Sequence, residues 1–156
     1  MEKIKFEHII YSDANKIRFE KLVKQLDSEY SPPISSLVND IQIYIEKMIE
    51  KAIVIIATYN KEDIGFIAIY CNDIKNKIAY ITSLSVKKEF QSKKIGKNLV
   101  EIAIQCAIER NMSSIELEVQ KENSLVMSFY SKFGFYIKLV TDKQSIVMKM
   151  DLENFE

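Results

Sequence analysis

Between Leu84 and Gly96 the chain reads LSVKKEFQSKKIG: a strand-like end, a polar loop and a glycine at the mouth of a helix. A helix start presents backbone N–H groups without internal acceptors and about half a positive charge from aligned peptide dipoles, so it can hold an anion. Lys93, Lys94 and Lys97 add mobile positive charge at that point, and Gly96 lets a ligand approach the backbone. Phosphate suits this chemistry. Neither GxxxxGK[ST] nor GxGxxG is present, and taken alone Gln91 and Gly96 would also fit a solvated, Lys-rich turn. A second segment, Asn123–Phe135 (NSLVMSFYSKFGF), begins 27 residues after Gly96.

The remaining chemistry-bearing side chains are few. His8 is the only histidine and lies in a strand-like run, where a structural or exposed role is expected. Cys71 and Cys106 have no metal-ligand spacing and no histidine near in sequence, so they read as small packing residues of a reduced protein, and no metal is expected. Glu116 and Glu118 alternate with Ile115, Leu117 and Val119, as on the polar face of a strand.

The elements that must position these residues follow from periodicity. Lys3–Tyr11 is rich in Ile and aromatics and ends at Ser12-Asp13, a strand followed by a helix cap. Ala14, Ile17, Leu22, Val23 and Leu26 recur near helical spacing up to about Glu29. The prolines at 32 and 33 with Ile-Ser-Ser predict a stiff loop, and Asn39 or Asp40 then caps a helix with Ile41, Ile45 and Ile49 on one face. Ala52–Tyr59, Ile64–Cys71 and Lys77–Val86 read as an antiparallel meander. After a polar loop, Lys87–Lys94, a helix from Gly96 to near Asn111 leads to strand Ser114–Val119. A helix over Asn123–Phe133 closes at Gly134, and Phe135–Val140 with Ser145–Leu152 forms a last hairpin. The crossover helix makes Lys77–Val86 and Ser114–Val119 parallel neighbours in an otherwise antiparallel sheet. With only three glycines in 156 residues, Gly65, Gly96 and Gly134 each mark a place where a side chain would not fit.

LSVKKEFQSKKIGKNL followed by NSLVMSFYSKFGF resembles the coenzyme A site of the GNAT superfamily, the GCN5-related N-acetyltransferases. The likeness is close over Tyr80–Tyr136 and extends to the rest by element order. It implies an α/β GNAT fold: a mixed, mostly antiparallel sheet with a parallel splayed strand pair and flanking helices, as one domain over residues 1–156. It also implies acetyl-CoA as acyl donor. The backbone of Leu84 and Val86 would pair with the pantetheine arm beside Ser85. The amides of Gln91, Ser92, Lys93, Lys94, Ile95, Gly96 and Lys97 would hold the pyrophosphate, and Asn123 and Phe129 would lie near the arm. Lys94 replaces the first glycine of the family loop, at a cost of about 1 kcal/mol if that position needs positive φ. Tyr130 matches the family tyrosine that donates to the departing thiolate. Tyr80 and Thr82 stand where some branches place glutamate or histidine, and neither is a base at neutral pH. Glu118, five residues before Asn123, matches a carboxylate base in the branch that acetylates ribosomal-protein N-termini, while its alternation with apolar neighbours fits a plain strand face equally.

Composition bounds the partners. Lys+Arg 22 balances Asp+Glu 22, which argues against nucleic acid. No run of about 18 apolar residues and no apolar leader is seen, so a cytoplasmic protein that does not meet a membrane is expected. The 25 isoleucines, and Lys at 20 of 22 basic positions, hint at an AT-rich bacterial genome. The acceptor is expected over the Ser28–Val38 loop, with Tyr30, two prolines and Glu29 as its only charge, which suits a small-molecule or peptide amine. A monomer and a homodimer remain open. A non-catalytic acyl-CoA-binding or regulatory module is the alternative, and a nucleotide-phosphate binder would leave Asn123–Phe135 unexplained.

Overall fold

The computed structural model describes residues 3–29 and 33–153. Strand β1 (Lys5–Ile9) runs into Ser12, whose Oγ accepts the Asn15 N–H at 3.1 Å and caps α1 (Asp13–Asp27). That helix buries Phe19, Leu22, Val23 and Leu26. Ile17, expected on the inner stripe, is 69% exposed. At 100° per residue Ile17 lies nearly opposite Phe19, so the larger aromatic sets the buried arc. The stiff loop expected after the prolines contains a one-turn helix, α2 (Ile34–Leu37), which buries Ile34. Asp40, not Asn39, caps α3 (Ile41–Lys51): its Oδ1 accepts the N–H groups of Gln42 and Ile43 at 2.9 and 3.2 Å.

Strands β2 (Ile53–Tyr59), β3 (Glu62–Asp73) and β4 (Ile78–Val86) form the expected meander. The polar loop after β4 is wound into a 3-10 helix, Lys88–Lys93, and α4 (Ile95–Glu109) starts one residue before Gly96. Then follow β5 (Ser114–Gln120), α5 (Ser124–Ser131), β6 (Tyr136–Val140) and β7 (Ser145–Asp151). The sheet order is β1-β2-β3-β4-β5-β7-β6. All pairings with a resolved register are antiparallel except β4 with β5, where Ile78–Tyr80 runs parallel to Ser114–Glu116. Both strands continue past that ladder, β4 to Val86 and β5 to Gln120.

Contacts gather the chain into two units, Met1–Ile69 with Ser83–Ala103, and Tyr70–Thr82 with Ile104–Glu156. In the first, Phe19 meets Phe66 edge-on at 4.9 Å, and Leu22, Leu26, Ile45, Met48, Ile56, Ile95 and Leu99 are fully buried. Arg18 ties its rim: the guanidinium grips both Asp63 oxygens at 2.9 Å and reaches Glu7 at 2.9 Å, linking α1, β3 and β1. In the second, Ile115, Leu117, Met148 and Met150 are buried along the paired β5 and β7.

Two glycines are required as expected. A Cβ at Gly65 would lie 2.8 Å from the Ser85 carbonyl oxygen and 3.1 Å from a Val86 methyl. Gly134 sits at φ +108°, after α5. Gly65→Ala should therefore cost about 1–3 kcal/mol of stability, the usual penalty of overpacking a fitted contact, read as a lower denaturant midpoint at unchanged slope. An unaltered midpoint would mean that β4 yields freely at Ser85.

Candidate active site

In the first unit the segment Leu84–Lys97 passes from strand to 3-10 helix to α4. Lys94 adopts φ 62°, ψ 20°, the left-handed conformation natural to glycine, and its carbonyl accepts the Asn98 N–H at 3.0 Å, the first turn of α4. The N–H groups of Ile95, Gly96 and Lys97 thus lie in the first helical turn, without intrahelical acceptors. Lys93, Lys94 and Lys97 are exposed around them, while the Ile95 side chain is fully buried and anchors the turn. Gln91 also braces the loop, because its Nε2 donates to the Val86 carbonyl at 2.9 Å and fixes the segment to the end of β4. Leu84 is half-buried and Ser85 and Val86 are buried. Lys94→Gly should stabilise the unliganded chain by about 1 kcal/mol through relief of the left-handed strain, read by chemical denaturation. A loss of stability would show that the lysine makes a compensating contact.

In the second unit Asn123 caps α5, its Oδ1 accepting the Val126 N–H at 3.3 Å. Tyr130 is 6% exposed. Its ring meets Phe129 at 5.1 Å and Phe135 at 5.5 Å, both edge-on, and Phe129 meets Phe133 at 5.2 Å. Glu118 is exposed on β5, where its Oε1 accepts a hydrogen bond from the Ser145 Oγ at 2.9 Å. Glu116, two residues back, is held by Lys138 at 2.9 Å. The two carboxylates of the strand face therefore differ: among the described residues, Glu116 is ion-paired and Glu118 accepts from a hydroxyl alone. Nothing in the sequence near Glu118 marked Ser145, which lies 27 residues away.

The lesser candidates keep their plain readings. His8 is exposed on β1. Burial pushes the Cys71 thiol up to about 11 and raises Cys106 as well, so both are poor nucleophiles at neutral pH. Among the described residues no cluster of His, Cys, Asp and Glu could hold a metal ion, and no helix is long and apolar enough to cross a membrane. Glu29, the charge expected on the acceptor loop, accepts the backbone N–H of Lys88 at 3.0 Å. Tyr30, Ser31 and Pro32 of that loop lie outside the described residues.

Residues 19–135 match the model of the acetyltransferase (GNAT) family. An uncharacterized N-acetyltransferase of Methanocaldococcus jannaschii is 35% identical over 85 residues, 52% of this chain and 38% of the relative. The chain thus spans little more than a third of that protein's length. N-alpha-acetyltransferase 30 of Saccharomyces cerevisiae is 30% identical over 128 residues, covering 78% of this chain and 70% of its own. The crystal structure of PaiA N-acetyltransferase from Thermoplasma acidophilum in complex with coenzyme A superposes with a TM-score of 0.71 at 22% identity, over 96% of this chain and 99% of that one. These relatives are archaeal and fungal, so they add nothing to the bacterial origin read from composition.

Proposed function

Since the chain belongs to the GNAT family of acetyltransferases, we propose that it moves an acetyl group from acetyl-CoA to a primary amine of a small molecule or peptide N-terminus, without a covalent enzyme intermediate. The observation that carries this reading is the left-handed Lys94 at the start of α4, a lysine in the conformation natural to glycine at the position where the family loop has one. Amides of Gln91–Lys97 hold the diphosphate, with Lys93, Lys94 and Lys97 around it. Leu84, Ser85 and Val86 offer the strand end along which the pantetheine arm lies, and Asn123 and Phe129 keep the part in donor binding that the family resemblance implies. The PaiA enzyme solved with coenzyme A supports the choice of donor.

The acceptor nitrogen attacks the thioester carbonyl carbon, the C–S bond breaks, and the amine proton must leave while the thiolate gains one. An alkyl amine of pKa about 10.4 is neutral in roughly one molecule in 2,500 at pH 7, a handicap near 4.6 kcal/mol. Glu118 takes up that proton, directly or through one water. Tyr130 donates to the departing sulfur. With ordinary pKa values of about 10 for the phenol and 8.5 for a thiol, full transfer is uphill by about 2 kcal/mol, so the tyrosine acts chiefly as a hydrogen-bond donor. The balance of these groups calls for no metal.

Thiol release from acetyl-CoA, followed with a panel of amino sugars, amino acids, polyamines and short peptides, tests the reading. Release that depends on both protein and amine is expected. Binding of acetyl-CoA with no release against any amine would instead make the chain a binding module.

A further inference from the structure

We propose that Ser145 and Thr141, at the mouth of the β6–β7 hairpin, form a positioning relay for the Glu118 carboxylate; this rests on Glu118 being the base. The Ser145 Oγ lies 2.9 Å from Glu118 Oε1 and 2.6 Å from the Thr141 Oγ1. A serine hydroxyl has one proton, and an ionised carboxylate only accepts, so the Ser145 O–H donates its hydrogen bond to Glu118. The proton between the two hydroxyls must then come from Thr141. Thr141 Oγ1 is in turn set by the backbone N–H groups of Lys143 and Ser145, each donating to it at 3.3 Å. Every hydrogen bond thus points one way, from turn backbone to Thr141 to Ser145 to Glu118.

The buried end of this relay is tied to the sheet and to its own turn. Ser145 is 5% exposed and paired with Gln120 of β5, and the turn is closed by Thr141 N–H to the Ser145 carbonyl at 2.8 Å with Gln144 at φ 63°. The exposed end is the carboxylate. One oxygen is held, and Oε2 has no protein partner among the described residues, which leaves it to meet an amine. A long, solvent-exposed glutamate would otherwise sample several rotamers, and orientation is a large part of what a catalytic base contributes. Glu116, the other acid on this face, is already bound to Lys138 at 2.9 Å and does not compete for Ser145.

The test uses the full chain, with glutamate labelled in its methylene carbons. Couplings and relaxation of the Glu118 methylenes should report one fixed rotamer in the wild type, averaging in Ser145→Ala and Thr141→Val, and a fixed rotamer again in Ser145→Thr, which keeps the hydroxyl. In turnover with the best amine of the panel, Ser145→Ala should lower kcat about 10-fold with the KM for acetyl-CoA unchanged. A single Glu118 rotamer in Ser145→Ala, or in Thr141→Val should the first variant not fold, overturns the relay. If the wild type acetylates no amine, the proposed function fails, yet the rotamer measurement still decides whether the relay exists.

Discussion

Tyr130→Phe should lower kcat about 100-fold while changing the affinity for acetyl-CoA no more than about twofold. The substitution removes one oxygen and leaves the ring, whose edge-on contacts with Phe129 and Phe135 at 5.1 and 5.5 Å are independent of the hydroxyl. The ring packing should therefore survive. What goes is a donor to the sulfur as charge develops there, an interaction stronger in the transition state than in the bound substrate. The loss belongs at the lower end of acid catalysis, since phenol is a weaker acid than the thiol it assists. Steady-state kinetics beside calorimetric titration separates the two quantities. An unchanged kcat would remove Tyr130 from the chemistry and leave it as the buried aromatic that its 6% exposure already makes it.

Glu118→Gln should cost about 100-fold in kcat at pH 7, with acetyl-CoA binding retained. The amide keeps the shape and can still meet Ser145, but it cannot accept the proton. An alkyl ammonium acceptor loses its own proton as pH rises, and near pH 9.5 roughly one molecule in ten is neutral, so the deficit should narrow to about 10-fold or less. The sign follows from the acceptor: its protonated form dominates at low pH, where a base matters most. An α-amino acceptor, with a pKa of about 7.7–8.0, should show a smaller deficit that closes at lower pH. A deficit equal at all pH values, or no deficit, would return Glu118 to the ordinary polar face of β5.

Lys94→Gly bears on binding as well as stability. It trades relief of the left-handed backbone for loss of an ammonium near the diphosphate, so acetyl-CoA affinity should fall several-fold even as the free chain gains about 1 kcal/mol. Paired thermal shifts with and without acetyl-CoA read both signs in one experiment.

What could be read from the sequence divides along a physical line. Strands β2 to β4 were legible because their apolar runs are separated by turn residues, and the parallel β4–β5 pair because a crossover helix permits little else. Ser12 was legible as a cap, since such caps act within three residues. The buried arc of α1 was misread at Ile17 because spacing alone does not say which apolar residue has a partner, and Phe66, the partner of Phe19, comes from another element. α2 escaped because a single turn shows no period. In the site, the loop and Tyr130 came from local motifs. The bonds that tune them did not: Gln91 to Val86 depends on how the loop folds back, Glu29 to Lys88 joins residues 59 apart, and Ser145 to Glu118 depends on β-register. Contacts set by how a loop folds back or by strand register leave no mark on spacing.

Isothermal titration calorimetry of the purified chain with acetyl-CoA, beside parallel titrations with ATP and with pantetheine lacking the nucleotide, reaches the cofactor loop without needing an amine. Saturable one-to-one binding of acetyl-CoA, displaced by coenzyme A and far tighter than binding of ATP or of pantetheine, is the expected result. No heat with acetyl-CoA, or equal affinity for ATP, would contradict a donor site at the start of α4.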